Sequence, residues 1–391
     1  MNSIHQFVPM LHYGDAVGQH TLKLRDLLRS SGVDSNIYVE RENLNTASET
    51  LDARSYPETA SANDLLVYQF ATASDLVPWL ISRPERLVVN YHNVTPAHFF
   101  APWDNGLARH QVRAKHELTQ LSSKATLGIA VSEYNRGDLV DAGFADTEVI
   151  HPIVVSKSTD RKAHNAQGCD LKADFDAQSL SNPVWLMVGR LAPNKAVEGA
   201  IAALFVARAK ELATRESRTQ IDSSSKARSN PIVDGVELNP NFGSSLKIVG
   251  KPAVPAYASA LRRFTNQLGL ANAVEFLGQV DDNALNSAYD QADVLLVTSE
   301  HEGFCLPIVE AMARGLPVVA YRQGAIPEVI GEAGLIVDDK DPYKLAETLN
   351  TICSDSLLKR DIGLKSKEQL SVLDLEHSGN KLTELLMTLA N

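Results

Sequence analysis

A chain of 391 residues exceeds the size of one ordinary hydrophobic core, so its length favours two domains. The formal net charge of −11 disfavours a general nucleic-acid-binding protein, whose phosphate contacts require a basic face. Three widely spaced cysteines argue against a disulfide framework or a zinc cluster. Because the chain has neither an apolar run of about 18 residues nor a signal-peptide pattern at its start, we expect a cytoplasmic protein.

The first half of the chain alternates strand-like and helix-like segments. Apolar, β-branched runs predict strands, and runs at helical spacing predict helices, at the following positions: strands at 5–10, 35–40, 65–68, 87–91 and 126–131, and helices at 19–29, 105–122 and 133–142. Such alternation predicts a parallel sheet with crossover helices. We assign residues 1–156 to this first Rossmann-like domain.

Two short stretches lie where strands of this sheet end. The loop 12–18 contains Gly14, which permits close backbone approach to a phosphate or sugar, and Asp15. His92 directly follows the strand 87–91, at the sheet edge where ligands of parallel sheets bind. An isolated histidine in this position is commonly structural, so neither stretch identifies a site alone.

The region 98–124 combines aromatic residues with basic ones, including Arg109 and Arg113. One interpretation is contact with an anionic membrane surface or a lipid-linked acceptor. The favoured interpretation is an aromatic loop that packs in the core, followed by a solvated helix.

Residues 157–182 are polar and aperiodic, which predicts a linker. A second Rossmann-like domain follows over 183–391, with strands at 184–189, 246–250, 273–277, 293–298 and 317–320, and helices at 195–209, 255–268, 281–291 and 307–314. Within it, we expect a mobile surface insertion at about 213–244. The tail is predicted to be helical from Asp341, an N-cap.

Arg190 and Lys195 follow the first strand of the second domain. At the carboxyl edge of a parallel sheet, two cations can stabilise a leaving diphosphate without a metal ion. Basic residues at strand ends are also often only solvated.

The segment 299–317, SEHEGFCLPIVEAMARGLP, places Glu302 and Glu310 across a strand–loop–helix junction. With Pro307 at the first helical position, the amides of Phe304, Cys305 and Leu306 are predicted to point at an anion. Glu310, in the first helical turn, can accept hydrogen bonds from a diol such as ribose, while Glu302 can face a second polyol. The alternative is an ordinary turn with a glutamate that the helix dipole favours.

This segment resembles the E-x7-E motif of the retaining GT-B glycosyltransferases of glycosyltransferase family 4, and 188–196 resembles their Gly-Arg…Lys-Gly element. The resemblance implies a GT-B fold, with two Rossmann-like parallel-sheet domains facing each other across a cleft and C-terminal helices that cross back to the first. It also implies that the two glutamates and the amides between them, Gly303 included, bind the donor, that His92 contacts the donor sugar near the reacting carbon, and that specificity involves Val280.

Two positions depart from the family pattern, because Ala196 and Cys305 stand where the family commonly has glycine. If position 305 requires a positive φ, cysteine there costs roughly 1 kcal/mol or more.

The predicted function is a metal-independent retaining transfer of a hexose from a nucleoside diphosphate sugar to a sugar, glycolipid or small-molecule acceptor. No further cofactor and no nucleic-acid partner are expected, and the alternative of peripheral contact with the inner face of the membrane would involve 98–124. The alternatives are a non-catalytic sugar-nucleotide-binding subunit and a phosphorylase-like enzyme. Two Asp-x-Asp matches, at 174–176 and 339–341, are interpreted as accidental. The base, sugar, acceptor and oligomeric state are left open.

Overall fold

The computed structural model describes residues 3–57, 64–153, 182–222 and 243–391. Within these ranges the strands form two parallel sheets, of seven and six strands. The strands of the first sheet are β1 Ile4–Val8, β2 Ile37–Val39, β3 Leu51–Asp52, β4 Leu65–Phe70, β5 Arg86–Tyr91, β6 Ala125–Ala130 and β7 Thr147–Val149. Those of the second are β8 Val184–Val188, β9 Ser245–Val249, β10 Val274–Gly278, β11 Val294–Val297, β12 Val318–Tyr321 and β13 Leu335–Val337.

Helices connect the strands and cover the sheets. In the first half they are α1 Ala16–Ser30, α2 Leu76–Ser82, α3 Asn105–Ser122 and α4 Glu133–Asp141. In the second half they are α5 Val197–Asp222, α6 Pro255–Gln267, α7 Asp282–Asp290, α8 Leu306–Ala313, α9 Ile326–Ile330, α10 Pro342–Ser354, α11 Ser356–Leu373 and α12 Leu375–Ala390. Central strands such as β4 are buried along their whole length, as expected for a parallel sheet covered on both faces. Two parallel-sheet α/β domains of this kind constitute a GT-B fold, as predicted.

Each sheet has a point at which the chain order reverses. The strand orders are β3-β2-β1-β4-β5-β6-β7 and β10-β9-β8-β11-β12-β13. The reversal therefore falls between β1 and β4 in the first sheet and between β8 and β11 in the second. Because the loops on either side of a reversal diverge, they leave a crevice at the carboxyl ends of these strands.

The last helix packs against the first sheet although it ends the chain. Its Leu382 and Leu386 share an apolar cluster with Ile4 of β1 and with Leu24 and Leu28 of α1. The predicted linker lies outside the described residues except for Asn182, so the boundaries of the two domains remain a prediction.

The structure differs from the sequence prediction at several boundaries. Helix α5 continues to Asp222, beyond the predicted start of the insertion, because residues 211–222 contain neither glycine nor proline. The rest of the predicted insertion, up to residue 242, lies outside the described residues. Helix α8 begins at Leu306, so Pro307 is its second residue and Glu310 its fifth, one residue deeper than predicted. The short elements β3, β7, β13, α2 and α9 were not predicted, since two to seven residues show no measurable period.

Candidate functional site

The loops that follow β8 and β11 are joined at the reversal point of the second sheet. The Thr298 hydroxyl donates to the backbone carbonyls of Lys195 and Ala196, at 2.9 and 3.0 Å. The side-chain amide of Asn194 donates to the carbonyl of His301 at 3.1 Å. These bonds hold the basic loop against the acidic loop and fix the position of both.

Lys195 and Glu302 meet as an ion pair between these two loops. Glu302 is buried, and the Lys195 side chain is about one-fifth exposed, with a relative accessibility of 22%. The structure thus brings together two residues that the sequence analysis assigned to different parts of a ligand. Arg190 is exposed at the end of β8 and has no ion pair among the described residues.

The N-terminus of α8 faces the same crevice. Its N-cap residue, Cys305, has a left-handed backbone with φ of 72°. Within the described parts of the chain, no acceptor binds the backbone N–H of Phe304, Cys305 or Leu306. Three free amides at the positive end of a helix dipole form an anion-binding arrangement.

Glu310 lies one turn into α8, where Tyr289 holds it. The Tyr289 hydroxyl donates to Glu310 Oε2 at 2.7 Å, and the Arg314 guanidinium lies 4.4 Å from the tyrosine ring centroid. Burial, and then the Glu310 charge, raise the pKa of Tyr289 well above its usual value, so the phenol remains a donor. Glu310 is half-buried, and its second carboxylate oxygen, Oε1, has no partner among the described residues.

The first domain contributes His92 at the end of β5. The Nε2 atom of His92 lies 2.6 Å from Oε1 of Gln69, and the two rings of His92 and His20 meet edge to face with centroids 5.0 Å apart. Burial lowers the pKa of His92 well below its usual value, so the ring is neutral at pH 7.

The loop before α1 is held by a cap. Asp15 accepts a hydrogen bond from the Gly18 amide at 2.7 Å and is the N-cap of α1, a structural role that the sequence analysis did not assign to it. A side chain at position 18 would bring Cβ within 1.8 Å of the His12 carbonyl oxygen, so only glycine fits there. Gly14 faces the second domain, because a Cβ at this position would lie 3.4 Å from the Gln279 side chain. Val280 follows β10 and packs, half-buried, against the core of the second domain.

Direct contacts join the two domains beside the site. His301 Nε2 lies 3.0 Å from Asn93 Oδ1, and its Nδ1 lies 3.3 Å from the Tyr134 hydroxyl. A Cβ on Gly303 would approach Asn93 Cβ to 2.5 Å, so Gly303 allows the acidic loop to reach the first domain. Glu328 of α9 accepts a hydrogen bond from the Glu133 amide at 2.9 Å and so caps α4 of the other domain.

Sequence analysis missed His301, Asn93, Tyr134 and Glu328, although His301 and Asn93 are each adjacent to a residue it selected. The signal it lacked was the three-dimensional approach of two strand ends from different domains.

Three residues near the cleft have a left-handed backbone without being glycine. They are Asn93, Ala196 and Cys305, with φ values of 86°, 44° and 72°. Ala196 and Cys305 are the two positions where the sequence departs from the family's glycines, so both substitutions place a side chain in a strained conformation.

Two of the four Arg and Lys side chains between residues 98 and 124 form ion pairs. Arg113 binds Asp75 and Glu117, and Lys115 binds Asp138. Phe100 packs in a core cluster of the second domain, as the favoured interpretation of an aromatic packing loop implied.

The Asp-x-Asp match at 339–341 does not resemble a metal site in the structure. Asp341 caps α10 through the Tyr343 amide, as predicted, and Asp339 binds Lys344. The match at 174–176 lies outside the described residues. Across the ranges that the structure describes, no group of three or more His, Cys, Asp or Glu side chains is arranged to hold a metal ion. Among the described helices, none is both long enough and apolar enough to cross a membrane.

Comparison with solved structures identifies the fold. The sucrose-phosphate synthase of Thermosynechococcus elongatus superimposes with a TM-score of 0.68 and 17% identity, over 100% of this chain and 99% of that one. Anabaena HepE in complex with UDP and glucose superimposes with a TM-score of 0.66 and 18% identity, over 99% of this chain and 100% of that one. These similarities agree with the GT-B fold that the two sheets define.

Comparison of sequences gives similarity over part of the chain. Residues 233–355 match the family described as "Glycosyl transferases group 1". The D-inositol 3-phosphate glycosyltransferase of Corynebacterium diphtheriae is 32% identical over 152 residues, which are 38% of this chain and 34% of that protein. O-antigen chain mannosyltransferase B of Escherichia coli is 40% identical over 84 residues, 21% and 22% of the two chains. The matched region thus spans about a third or less of these relatives.

Proposed function

We propose that this protein is a retaining glycosyltransferase, similar to family 4, that moves a hexose from a nucleoside diphosphate sugar to a sugar, glycolipid or small-molecule acceptor. The observation that carries the proposal is the convergence of Lys195, Glu302 and the free amides of α8 at the reversal point of the second sheet. The similarity of part of the chain to glycosyltransferases, a mannosyltransferase among them, supports it.

The donor diphosphate fits the N-terminus of α8, where the amides of Phe304, Cys305 and Leu306 are unpaired. Glu310, one turn further, then reaches the ribose with the carboxylate oxygen that Tyr289 leaves free. Lys195 and the exposed Arg190 stabilise the negative charge that grows on the departing diphosphate.

Retention follows if the acceptor hydroxyl attacks from the face that the diphosphate leaves. The hydroxyl then passes its proton to a leaving phosphate oxygen, so the reaction balances without an enzyme nucleophile. Glu302 forms an ion pair with Lys195, which supports a binding role for this carboxylate rather than a nucleophilic one. With two cations beside the diphosphate, we propose that transfer is independent of divalent metal.

Peripheral membrane contact through 98–124 is a secondary proposal. The exposed side chains Trp103, Val112 and Arg109 support it, whereas the ion pairs of Arg113 and Lys115 reduce the positive charge available to anionic lipid.

A panel of UDP-, GDP- and ADP-sugars tests the proposal, read first by thermal shift and then by release of the nucleoside diphosphate. A donor at about 100 times its Kd should stabilise the protein by about 2.7 kcal/mol. We expect turnover of one donor that persists in EDTA. Binding without any release across a panel of acceptors would favour the non-catalytic subunit, and activity lost in EDTA and restored by Mn²⁺ would refute metal independence.

A further inference from the structure

A chain of buried amide side chains crosses the first sheet beneath His92. Gln6 of β1 and Gln69 of β4 are both fully buried. Gln6 Nε2 donates to the backbone carbonyl of Thr21 at 3.0 Å, and Gln69 Nε2 donates to Gln6 Oε1 at 2.8 Å. Gln69 Oε1 then lies 2.6 Å from His92 Nε2. Uncharged amides are costly to bury in apolar strands unless each polar atom is paired, and here they are paired with one another.

The backbone carbonyl at one end gives this chain a direction. A carbonyl oxygen can only accept, so the nitrogen of Gln6 must face Thr21 and the oxygen of Gln6 must face Gln69. The nitrogen of Gln69 must then face Gln6, which leaves Gln69 Oε1 facing His92. The orientation of a side-chain amide is normally ambiguous, but the carbonyl of Thr21 can only accept, and it therefore determines the orientation of both glutamines. Asn90 Nδ2 lies 3.0 Å from the same oxygen of Gln69.

An acceptor opposite Nε2 determines the tautomer of His92. The neutral ring carries one proton, which must be on Nε2 to donate to Gln69. Nδ1 is then unprotonated, and it has no hydrogen-bond partner among the described residues. The adjacent His20 is also neutral at pH 7, because burial lowers its pKa to about 4.

We propose that the Gln6–Gln69 relay fixes the Nε2-protonated tautomer of His92, so that His92 offers Nδ1 as an acceptor to a hydroxyl group of the ligand in the cleft. Gln69 and Gln6 are therefore positioning residues, and Gln6 acts without touching His92. Only the identity of that ligand as a sugar rests on the proposed function, since the relay itself belongs to the unliganded protein.

The tautomer can be read directly by NMR on the full chain with ¹⁵N-labelled imidazole rings and no ligand, with His92 assigned by the loss of its signals in His92→Asn. We expect an Nε2-protonated, Nδ1-unprotonated ring in the wild type. In Gln6→Met, Gln69 is free to turn its nitrogen towards His92, so we expect a shift towards the other tautomer.

Val67→Ala is the matched control, because Val67 is a fully buried residue of β4 that pairs with Gln6 in register and takes no part in the relay. In Val67→Ala, the tautomer of His92 should be the same as in the wild type. An Nδ1-protonated His92 in the wild type overturns the proposal, and this result does not require Gln6→Met to fold. An unchanged tautomer in Gln6→Met, or an equal shift in Val67→Ala, overturns it as well.

Kinetics provide a second readout once a donor is known. Losing one neutral hydrogen bond to the ligand should lower the donor kcat/KM of Gln6→Met by about fivefold to tenfold. A donor analogue that lacks the hydroxyl bound by His92 should show no such difference between wild type and Gln6→Met. A change in activity with an unchanged tautomer would contradict the relay, whereas a tautomer shift in a protein that turns over no donor would refute the proposed function alone.

Discussion

The ammonium of Lys195 is hydrogen-bonded to the carboxylate of Glu302, a residue 107 positions later in the chain. The pair links the two loops that flank the reversal point of the second sheet, and both side chains are largely shielded from water. Lys195 therefore has a structural partner in the unliganded protein and, on the proposed function, a second one in the donor diphosphate.

The structural and catalytic roles of Lys195 can be separated by mutation. Lys195→Ala leaves the buried carboxylate of Glu302 without its cation, so we expect a loss of about 2 kcal/mol in the free energy of unfolding. The double variant Lys195→Ala/Glu302→Gln removes the unpaired charge and should recover most of that stability without recovering activity. Urea unfolding and donor turnover of both variants measure this. Activity that returns together with stability would show that Lys195 acts only through folding.

Glu310→Gln should weaken donor binding and leave the fold intact. It replaces an ionised acceptor with a neutral amide, whose oxygen still accepts from Tyr289, and the expected loss is roughly 1.5–3 kcal/mol of donor binding. Calorimetric titration with the donor identified by the panel measures it. Tyr289→Phe is the control that frees Glu310 while keeping its charge, and its effect should be smaller. Unchanged donor affinity in Glu310→Gln would contradict the ribose assignment.

The strain at Ala196 predicts an unusual response to glycine. Because Ala196 has a left-handed backbone, Ala196→Gly should leave the free energy of unfolding within about 0.5 kcal/mol of the wild type or raise it. Ala200, four residues later in the first turn of α5 and also buried, is the matched control, and Ala200→Gly should cost about 1 kcal/mol. Denaturant unfolding of the two variants measures this difference. An equal loss of unfolding free energy in Ala196→Gly and Ala200→Gly would contradict backbone strain at Ala196.

The buried His20 predicts a pH dependence of stability. Burial lowers its pKa from 6.5 to about 4, so between these values the unfolded chain binds a proton that the folded protein excludes. The free energy of unfolding therefore rises with pH in this window, and above it His20 contributes no slope. At pH 5, we expect His20 to cost about 2 kcal/mol relative to pH 7.

Urea unfolding of the wild type and of His20→Gln at pH 5 and pH 7 isolates the contribution of His20 to the free energy of unfolding. His5 and His301, which also have a lowered pKa, remain in both proteins and cancel in the comparison. His92, whose ring contacts His20, keeps the burial that is the first cause of its lowered pKa. From pH 7 to pH 5, His20→Gln should lose less unfolding free energy than the wild type. Identical losses in the two proteins would contradict the lowered pKa of His20.

The sequence predicted the two parallel sheets well because their central strands are continuous apolar runs. It also placed Lys195 and Glu302 at strand ends, since position relative to a strand is a local property. It did not predict that they pair, because loops 107 residues apart meet only through the order of the strands.

Two further features depended on three-dimensional context. Glu310 was placed one residue too near the start of α8, because the sequence analysis assigned Pro307 to the first position, which Leu306 occupies. The relay through Gln6 and Gln69 was missed since each glutamine stands alone in an apolar strand, where only the folded sheet brings them together.

The proposed function is tested most directly by kcat and donor KM for Arg190→Ala, Lys195→Ala and the double variant. If both cations stabilise the departing diphosphate, each substitution should lower kcat more than it raises KM, by roughly 10²–10³, or about 2.7–4 kcal/mol. The double variant should lose less than the sum, because both act on one leaving group. An effect confined to KM, with kcat unchanged in all three variants, would contradict catalysis at this site and leave a protein that only binds the nucleotide sugar.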